Sequence, residues 1–382
     1  MTVRSFTREA VRRRAPTPRR PEDRPITTTT PAHRLLPHPR DLLRFGPHDG
    51  AHRPAARVAA SVLVPMVVLA LIGHVEWTPY AVFGAFASAF GRGLPRFQRL
   101  EMQLEAGLAL VSCVVLGTAL AASSAPVWVL VVTIGLVAGV TSATSDLRRW
   151  SPPGPLFFVF GLGVSAFVPA TASTVAVAAV VAPASLALAL LASFAGVLLP
   201  GGRRALATVD GRRWRRGPRP LDGRRTVVHA AVCLVASIAA GLLSLGLGVE
   251  SPYWAMVSAV VPVVGSATAG QLVRAGHRLL GTLVGVALAA LLLAWHPGVA
   301  ALIVAFGVLQ FATELLIVRN YGLALVFITP MALGMRALGG EPVDVGALVA
   351  TRTADTAIGV GVVVVVLLAT HRLRRPRAEV AT

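Results

Sequence analysis

Lysine is missing altogether: the 36 basic residues among 382 are all arginine. That absence excludes a P-loop, whose lysine neutralises nucleotide phosphates, and equally a Schiff-base lysine, so the chain is not itself a Walker-type ATPase. Cysteine is scarce too. Cys113 and Cys233 both lie within apolar runs, without a CxxC or Cys/His spacing that would hold a metal, and read as small packing residues. Charge is scarce as well, at 14% of residues, against roughly 25% in soluble domains. No span carries paired acids, a Ser/His arrangement or a metal constellation, so no catalytic residue, cofactor or enzymatic activity is expected.

Apolar residues, by contrast, make up 55% of the chain and are gathered into about a dozen long runs. A helix needs about 20 apolar residues to cross a hydrocarbon core of ~30 Å, and Val227 to Val249 and Gly346 to Thr370 meet that length. The expected fold is therefore all-α, a polytopic transmembrane helix bundle of about 12 spans in the lipid bilayer. The spans fall near 58-73, 77-91, 104-122, 127-145, 153-170 and 174-199, then 226-248, 252-270, 279-295, 298-318, 321-338 and 347-370. The first two are short for a full crossing, which leaves open a single re-entrant pair.

The formal net charge of +19 is concentrated outside these runs. Residues 1-57 carry +8, 201-225 carry +7 and 371-382 carry +3, leaving +1 for everything else. Such segments orient spans and attract anionic lipid headgroups, and no nucleic-acid-binding motif accompanies them, so no nucleic-acid partner is expected. Arginine alternates between successive loops. Arg92, Arg96 and Arg99, then Arg148 and Arg149, the nine-Arg linker, Arg274 and Arg278, Arg319, and the Arg372 to Arg377 cluster follow every second span. The intervening loops carry His74, Glu76, Glu250, His296, Glu341 and Asp344 instead. Both termini and the linker are thus expected in the cytoplasm, with the chain multi-pass in the plasma membrane. No cleavable signal is expected, because the first apolar run begins only near Val58.

A repeat is visible in Glu76-Trp77-Thr78-Pro79-Tyr80-Ala81 and Glu250-Ser251-Pro252-Tyr253-Trp254-Ala255, each opening the second span of its half. The chain then divides into a disordered basic arm (1-57), a first six-span repeat (58-200), an Arg-rich linker (201-225), a second six-span repeat (226-370) and a basic tail (371-382). Repeats with an even number of spans insert in the same orientation, related by an axis along the membrane normal.

Ionisable residues at mid-span cost about 2.5–3.5 kcal/mol each on insertion scales, so those retained pair or serve transport. The candidates are Glu101, Glu105, His229, Glu314, Arg336, Arg352 and Asp355. Arg352 and Asp355, three apart, share a helix face and are close enough to neutralise one another. In the alternative, Arg352 and Arg336 bind a substrate carboxylate, for which the planar guanidinium fork is suited, while Asp355 and Glu314 exchange protons. Glu314 also reads as one half of an interfacial ion pair with Arg319. Pro262 and Pro330 remove backbone donors and are expected to kink their spans around a cavity, whereas Gly281, Gly285, Gly322 and Gly334 permit close helix approach.

The stretch from Ser251 to about Gly359 resembles the fusaric acid resistance family of integral membrane transporters, related to aromatic acid exporters. The likeness rests on Ser251-Pro252-Tyr253-Trp254, on Arg278-Leu279-Leu280-Gly281-Thr282-Leu283-Val284-Gly285, on Arg319-Asn320-Tyr321-Gly322-Leu323-Ala324 running into Thr329-Pro330, and on Arg352-Thr353-Ala354-Asp355-Thr356-Ala357-Ile358-Gly359. The first half matches only through Thr78-Pro79-Tyr80 and its layout. Larger members carry a cytoplasmic domain where this chain has only Gly201 to Arg225. The resemblance implies a secondary-active exporter of aromatic or hydrophobic organic acids, driven by proton exchange, with a homo-oligomer left open. A passive anion channel or an envelope scaffold is the alternative.

Overall fold

The computed structural model describes residues 38–47, 50–194, 223–265, 267–338 and 344–371. The linker expected at 201-225 lies outside them except for residues 223–225, and the tail at 371-382 except for His371. All regular structure among the described residues is helical. The α-helices are α1 (His52–Leu71), α2 (Thr78–Ala85), α3 (Arg96–Ala122), α4 (Val127–Arg148), α5 (Leu156–Ala166), α6 (Ala172–Phe194), α7 (Gly223–Gly246), α8 (Tyr253–Val260), α9 (Thr268–Ala294), α10 (Val299–Leu316), α11 (Tyr321–Leu338) and α12 (Val345–Ala369).

Eight of them, α1, α3, α4, α6, α7, α9, α10 and α12, are long and apolar enough to cross a membrane. The chain is a multi-pass helical membrane protein. The remaining four are different. Helix α2 has 8 residues and passes into a 3-10 turn over Phe86–Ala89, and α8 also has 8 and passes into a 3-10 turn over Val261–Val263. At 1.5 Å per helical residue and about 2 Å per 3-10 residue, each covers only about 20 Å. Every residue of α8 is buried, as are seven of the eight in α2, whereas α6 turns Val180, Leu188 and Leu191 outward. The short helices are walled off by the long ones.

Helix α3 packs on α5 and α6, and α2 lies against α6; in the second half α9 packs on α11 and α12, and α8 lies against α12. Contacts between the halves run from α1 to α10, from α4 to α7 and from α5 to α8. Glycine sets the closest of these approaches. A Cβ on Gly117 of α3 would stand 2.6 Å from the Leu162 carbonyl oxygen of α5. One on Gly285 of α9 would stand 2.7 Å from Thr329 Cβ and 2.9 Å from the Leu325 carbonyl oxygen of α11. Small residues bring backbones together where apolar attraction between helices is no stronger than to lipid.

Two expectations are corrected. Helix α9 begins at Thr268, not near 279, and α3 at Arg96, not near 104. Each has 27 residues, about 40 Å, which exceeds the hydrocarbon thickness. Arg99, Arg274 and Arg278 are consequently helical rather than loop residues, and Arg278 is 3% exposed. Helices end where hydrogen bonding ends, whereas a hydropathy reading ends where apolarity does.

The described part of the arm expected at 1-57 is folded. Pro39–Leu43 form a 3-10 turn under a His38 capping box, and α1 starts already at His52. Asn320 Nδ2 donates to the carbonyls of Leu42 and Arg44, at 3.0 and 3.3 Å, and Gly46 N–H donates to the Arg319 carbonyl at 2.9 Å. Residues 38–47 are thereby tied to the turn between α10 and α11. On the other side of the bundle, His74 Nδ1–H donates a 2.8 Å hydrogen bond to Glu76 Oε1 and its ring stacks on Trp77 at 3.8 Å, which fixes the turn into α2 and holds the Glu76 carboxyl below its usual range.

Candidate substrate cavity

Both short buried helices end in a break that a glutamine caps. Pro262 cannot donate a backbone hydrogen bond, and α8 gives way at that point to its 3-10 turn. Gln271 Nε2 of α9 then donates to the freed carbonyls of Val263 and Gly265, at 2.7 and 2.8 Å. In the first half Gln103 Nε2 of α3 donates to the carbonyls of Ser88 and Phe90, both at 3.1 Å, although no proline stands there. Irregular backbone at membrane depth survives where protein groups satisfy it.

Both short helices wall a cavity of about 100 Å³, together with α1 and α5 from the first half and α9 to α12 from the second. Seven aromatic side chains line it: Phe83, Phe86, Phe157, Phe160, Trp254, Phe306 and Tyr321. Phe160 bridges the halves, 5.1 Å from Phe83 and 5.0 Å from Trp254 between ring centroids. The polar lining is Arg278, Gln310, Thr313, Glu314 and Arg352. The cavity follows α11 from Tyr321 to Met335, about 21 Å of helix.

Arg352 is 2% exposed, with its guanidinium carbon 3.6 Å above the Trp254 ring centre. Its Nε and Nη1 find no acceptor among the described residues. The neutralising pair with Asp355 is not formed: no ion pair joins them, and Asp355 Oδ1 instead accepts from the Ser244 hydroxyl of α7 at 2.6 Å. A spacing of three puts two side chains on one face, but Arg352 leans to the aromatic ring on α8 while Asp355, fully buried, leans to α7. Stacking on a desolvated tryptophan returns about 2 kcal/mol, less than the cost of burying the charge.

Glu314 does not pair with Arg319. Its Oε1 accepts from Gln310 at 3.2 Å, and its Oε2 stands 3.7 Å from Arg92 of the first half. Arg92 also donates to the Glu314 carbonyl at 2.8 Å, while Arg319 donates to the Gly46 carbonyl at 3.3 Å. Arg336 lies on α11, and its side chain falls outside the described residues. Neither Pro262 nor Pro330 lines the cavity, although Pro330 is inside α11 between the lining residues Ile328 and Met331. The other in-span acids and bases serve the periphery. Glu105 pairs with Arg148 and accepts from Trp150 Nε1 at 3.1 Å, and His229 meets Asp146 at 2.7 Å between α7 and α4.

Arg278 was the residue that sequence reasoning missed. It enters the cavity from α9, with Nε and Nη2 donating to Ser258 Oγ at 3.2 Å and Nη1 reaching Tyr321 Oη at 3.5 Å. Its signal in the sequence is that Arg278 opens the largely apolar run from Leu279 to Trp295, but the alternation of arginine between loops assigns it to a loop.

All the charged side chains on the cavity wall belong to the second half, between α9 and α12. Residues 235–366 match the fusaric acid resistance protein-like family. That fusaric acid resistance protein-like region runs from α7 to α12 and holds Trp254, Arg278, Glu314, Tyr321, Arg352 and Asp355. The chain is also similar to an uncharacterized membrane protein of Bacillus subtilis (strain 168), YvaC, at 34% identity over 125 residues. The match covers 33% of this chain and about a fifth of that relative's length. No solved structure matches the chain.

Proposed function

We propose that the protein is a secondary-active exporter of aromatic or hydrophobic organic acids in the plasma membrane. The observation that carries this reading is an aromatic-walled cavity at the junction of the two halves, into which the buried, incompletely bonded guanidinium of Arg352 projects. An aromatic wall receives a flat apolar body, and an arginine fork receives its carboxylate. Short buried helices that wall the cavity and end in capped breaks resemble the discontinuous helices around which transporters place substrate.

In this reading the chain is two six-span repeats inserted in parallel, with α11 and the short α2, α5 and α8, each completed by the non-α-helical backbone beyond its ends, as the inner spans and both termini in the cytoplasm. The matching set of helix contacts within each half and the matching glutamine caps support the duplication. Glu314 and Asp355 are the candidate proton carriers, since both are buried acids within reach of an arginine's field. A passive anion channel is the second reading, favoured by a cavity wall that is net positive.

Everted membrane vesicles distinguish the two. An exporter accumulates a radiolabelled aromatic acid such as benzoate against its gradient when the vesicles are energised, and an uncoupler collapses the accumulation. Equilibration without accumulation, insensitive to the proton gradient, would favour the channel. No movement of any aromatic acid would overturn both.

A further inference from the structure

Two guanidinium groups reach the same cavity from neighbouring helices, and no carboxylate pairs with either. Arg278 is 3% and Arg352 2% exposed, and neither takes part in any ion pair among the described residues. Arginine does not shed its charge when buried, so the two cations raise one another's energy across a low-dielectric gap. Arg278 is partly compensated by neutral oxygens, Ser258 Oγ and Tyr321 Oη. Arg352 has less, an aromatic face and two guanidinium nitrogens, Nε and Nη1, with no acceptor among the described residues. Asp355 bears on this charge at a distance, with its one hydrogen bond directed to Ser244. Glu314, the acid on the cavity wall, is engaged by Arg92 and Gln310.

Set against Asp355, the two arginines leave a surplus of one positive charge facing an aromatic wall. We infer that Arg278 and Arg352 together form one anion site, whose ligand is a flat aromatic monocarboxylate held between the two guanidinium groups with its ring toward Trp254 and Phe160. The inference rests on the transport reading for its purpose, and it replaces Arg336 by Arg278 as the partner of Arg352. It also sets a preference. A dicarboxylate brings a second charge that the surplus does not balance, and burying that charge unpaired is costly. A neutral amide of the same shape fills the wall but leaves the cations as they were.

The test uses the full chain purified in detergent with benzoate as the probe, and binding is followed by the rise of the thermal midpoint with ligand concentration. Benzoate should bind, benzamide should bind at least tenfold more weakly, and isophthalate should also be weaker than benzoate. Arg278→Gln and Arg352→Gln should each weaken benzoate roughly tenfold or more, as expected for losing one charge-assisted contact. Arg278→Lys keeps the charge, guarding against failure to fold, and should weaken benzoate by a smaller factor because a point charge lacks the fork. Undiminished benzoate affinity in Arg278→Gln, or isophthalate binding more tightly than benzoate, would overturn the two-arginine site. Vesicle transport separates the layers: accumulation of benzoate by Arg278→Gln at the unsubstituted rate ends the two-arginine site and leaves the exporter standing. Tight benzoate binding that depends on both arginines, in a chain that moves no benzoate in vesicles, would sustain the site and end the exporter.

Discussion

Replacing Arg352 with methionine should abolish transport while leaving the protein at least as stable as before. The contacts that hold Arg352 are few: a guanidinium stacked 3.6 Å from the Trp254 centroid, and no hydrogen bond from Nε or Nη1. Losing the stacking costs about 2 kcal/mol. Removing a charge buried to 2% exposure returns about 2.5–3.5 kcal/mol on insertion scales. Methionine is of similar length and flexible, so it fills the space with little strain. The balance is a change between about zero and a gain of ~2 kcal/mol, in line with buried ionic groups elsewhere, whose apolar replacement is often neutral or stabilising. Thermal unfolding of the detergent-purified chain measures one side of this, and benzoate accumulation per correctly inserted molecule measures the other. Because Asp355 bonds to Ser244 and makes no ion pair with Arg352, Asp355→Asn should couple to Arg352→Met through their charges alone, by about 1 kcal/mol in a double-mutant cycle. A stability loss above ~2 kcal/mol for Arg352→Met, with transport by the folded fraction intact, would refute the reasoning and return Arg352 to a structural role.

Gly285→Val should lower stability by about 1–3 kcal/mol, since its Cβ would meet Thr329 and the Leu325 carbonyl, whereas Gly361→Val, with nothing within 4 Å, should change it little; equal midpoints for the two would reject the α9–α11 contact. Glu314→Gln should retain exchange of labelled for unlabelled benzoate but lose accumulation driven by a proton gradient, and gradient-driven uptake at the original level would remove Glu314 from coupling. Asn320→Ala removes both hydrogen bonds to the Leu42 and Arg44 carbonyls, so trypsin should cut after Arg44 several-fold faster, and an unchanged rate would mean that residues 38–47 are held by other contacts. Single cysteines at positions 215 and 340, with Cys113 and Cys233 replaced, should react with an impermeant thiol reagent in intact cells only at 340; labelling at 215 would exclude the parallel-repeat topology.

Eleven of the twelve apolar runs read from the sequence overlap one α-helix each, often within a few residues, as at 127-145 against Val127–Arg148 and 321-338 against Tyr321–Leu338, while the run at 252-270 takes in α8 and the start of α9. Hydropathy locates helices because a chain in lipid must satisfy its backbone internally. It does not say what a helix touches. Helix α8, Tyr-Trp-Ala-Met-Val-Ser-Ala-Val, is as apolar as a lipid-facing span, yet every residue of it is covered by protein. Its length was the clue, since 8 residues do not cross a bilayer, but the sequence continues apolar through Val261-Pro262-Val263 and hides the break. The missing information is which carbonyls Gln271 caps, and that depends on a helix that starts after the break.

The candidate site was legible in its ingredients and not in its pairings. Arg352 and Glu314 could be singled out because a charge in an apolar run is conspicuous, and both line the cavity. Their partners could not be named: Trp254 lies 98 residues before Arg352, Arg92 lies 222 residues before Glu314, and no spacing rule spans such distances. The division of the lining shows why one half was readable and the other was not. The first half contributes apolar and aromatic side chains such as Val62, Met66, Phe83 and Phe160, while Arg278, Gln310, Glu314, Tyr321 and Arg352 all come from the second. Helix α6, the counterpart of α12 under the proposed duplication, has no ionisable residue in its 23 positions. The family match, over 235–366, falls within the second half. Charged residues inside a membrane are costly, so a half that in the proposed reading does not bind the anion has no need of them and can wall the cavity with apolar side chains alone. Wall residues tolerate any apolar side chain of suitable volume. Under the proposed reading the ligand's charge falls to the second half alone, whereas its ring is shared between Phe160 of the first half and Trp254 of the second, so only the charged part of the site stands out in the sequence.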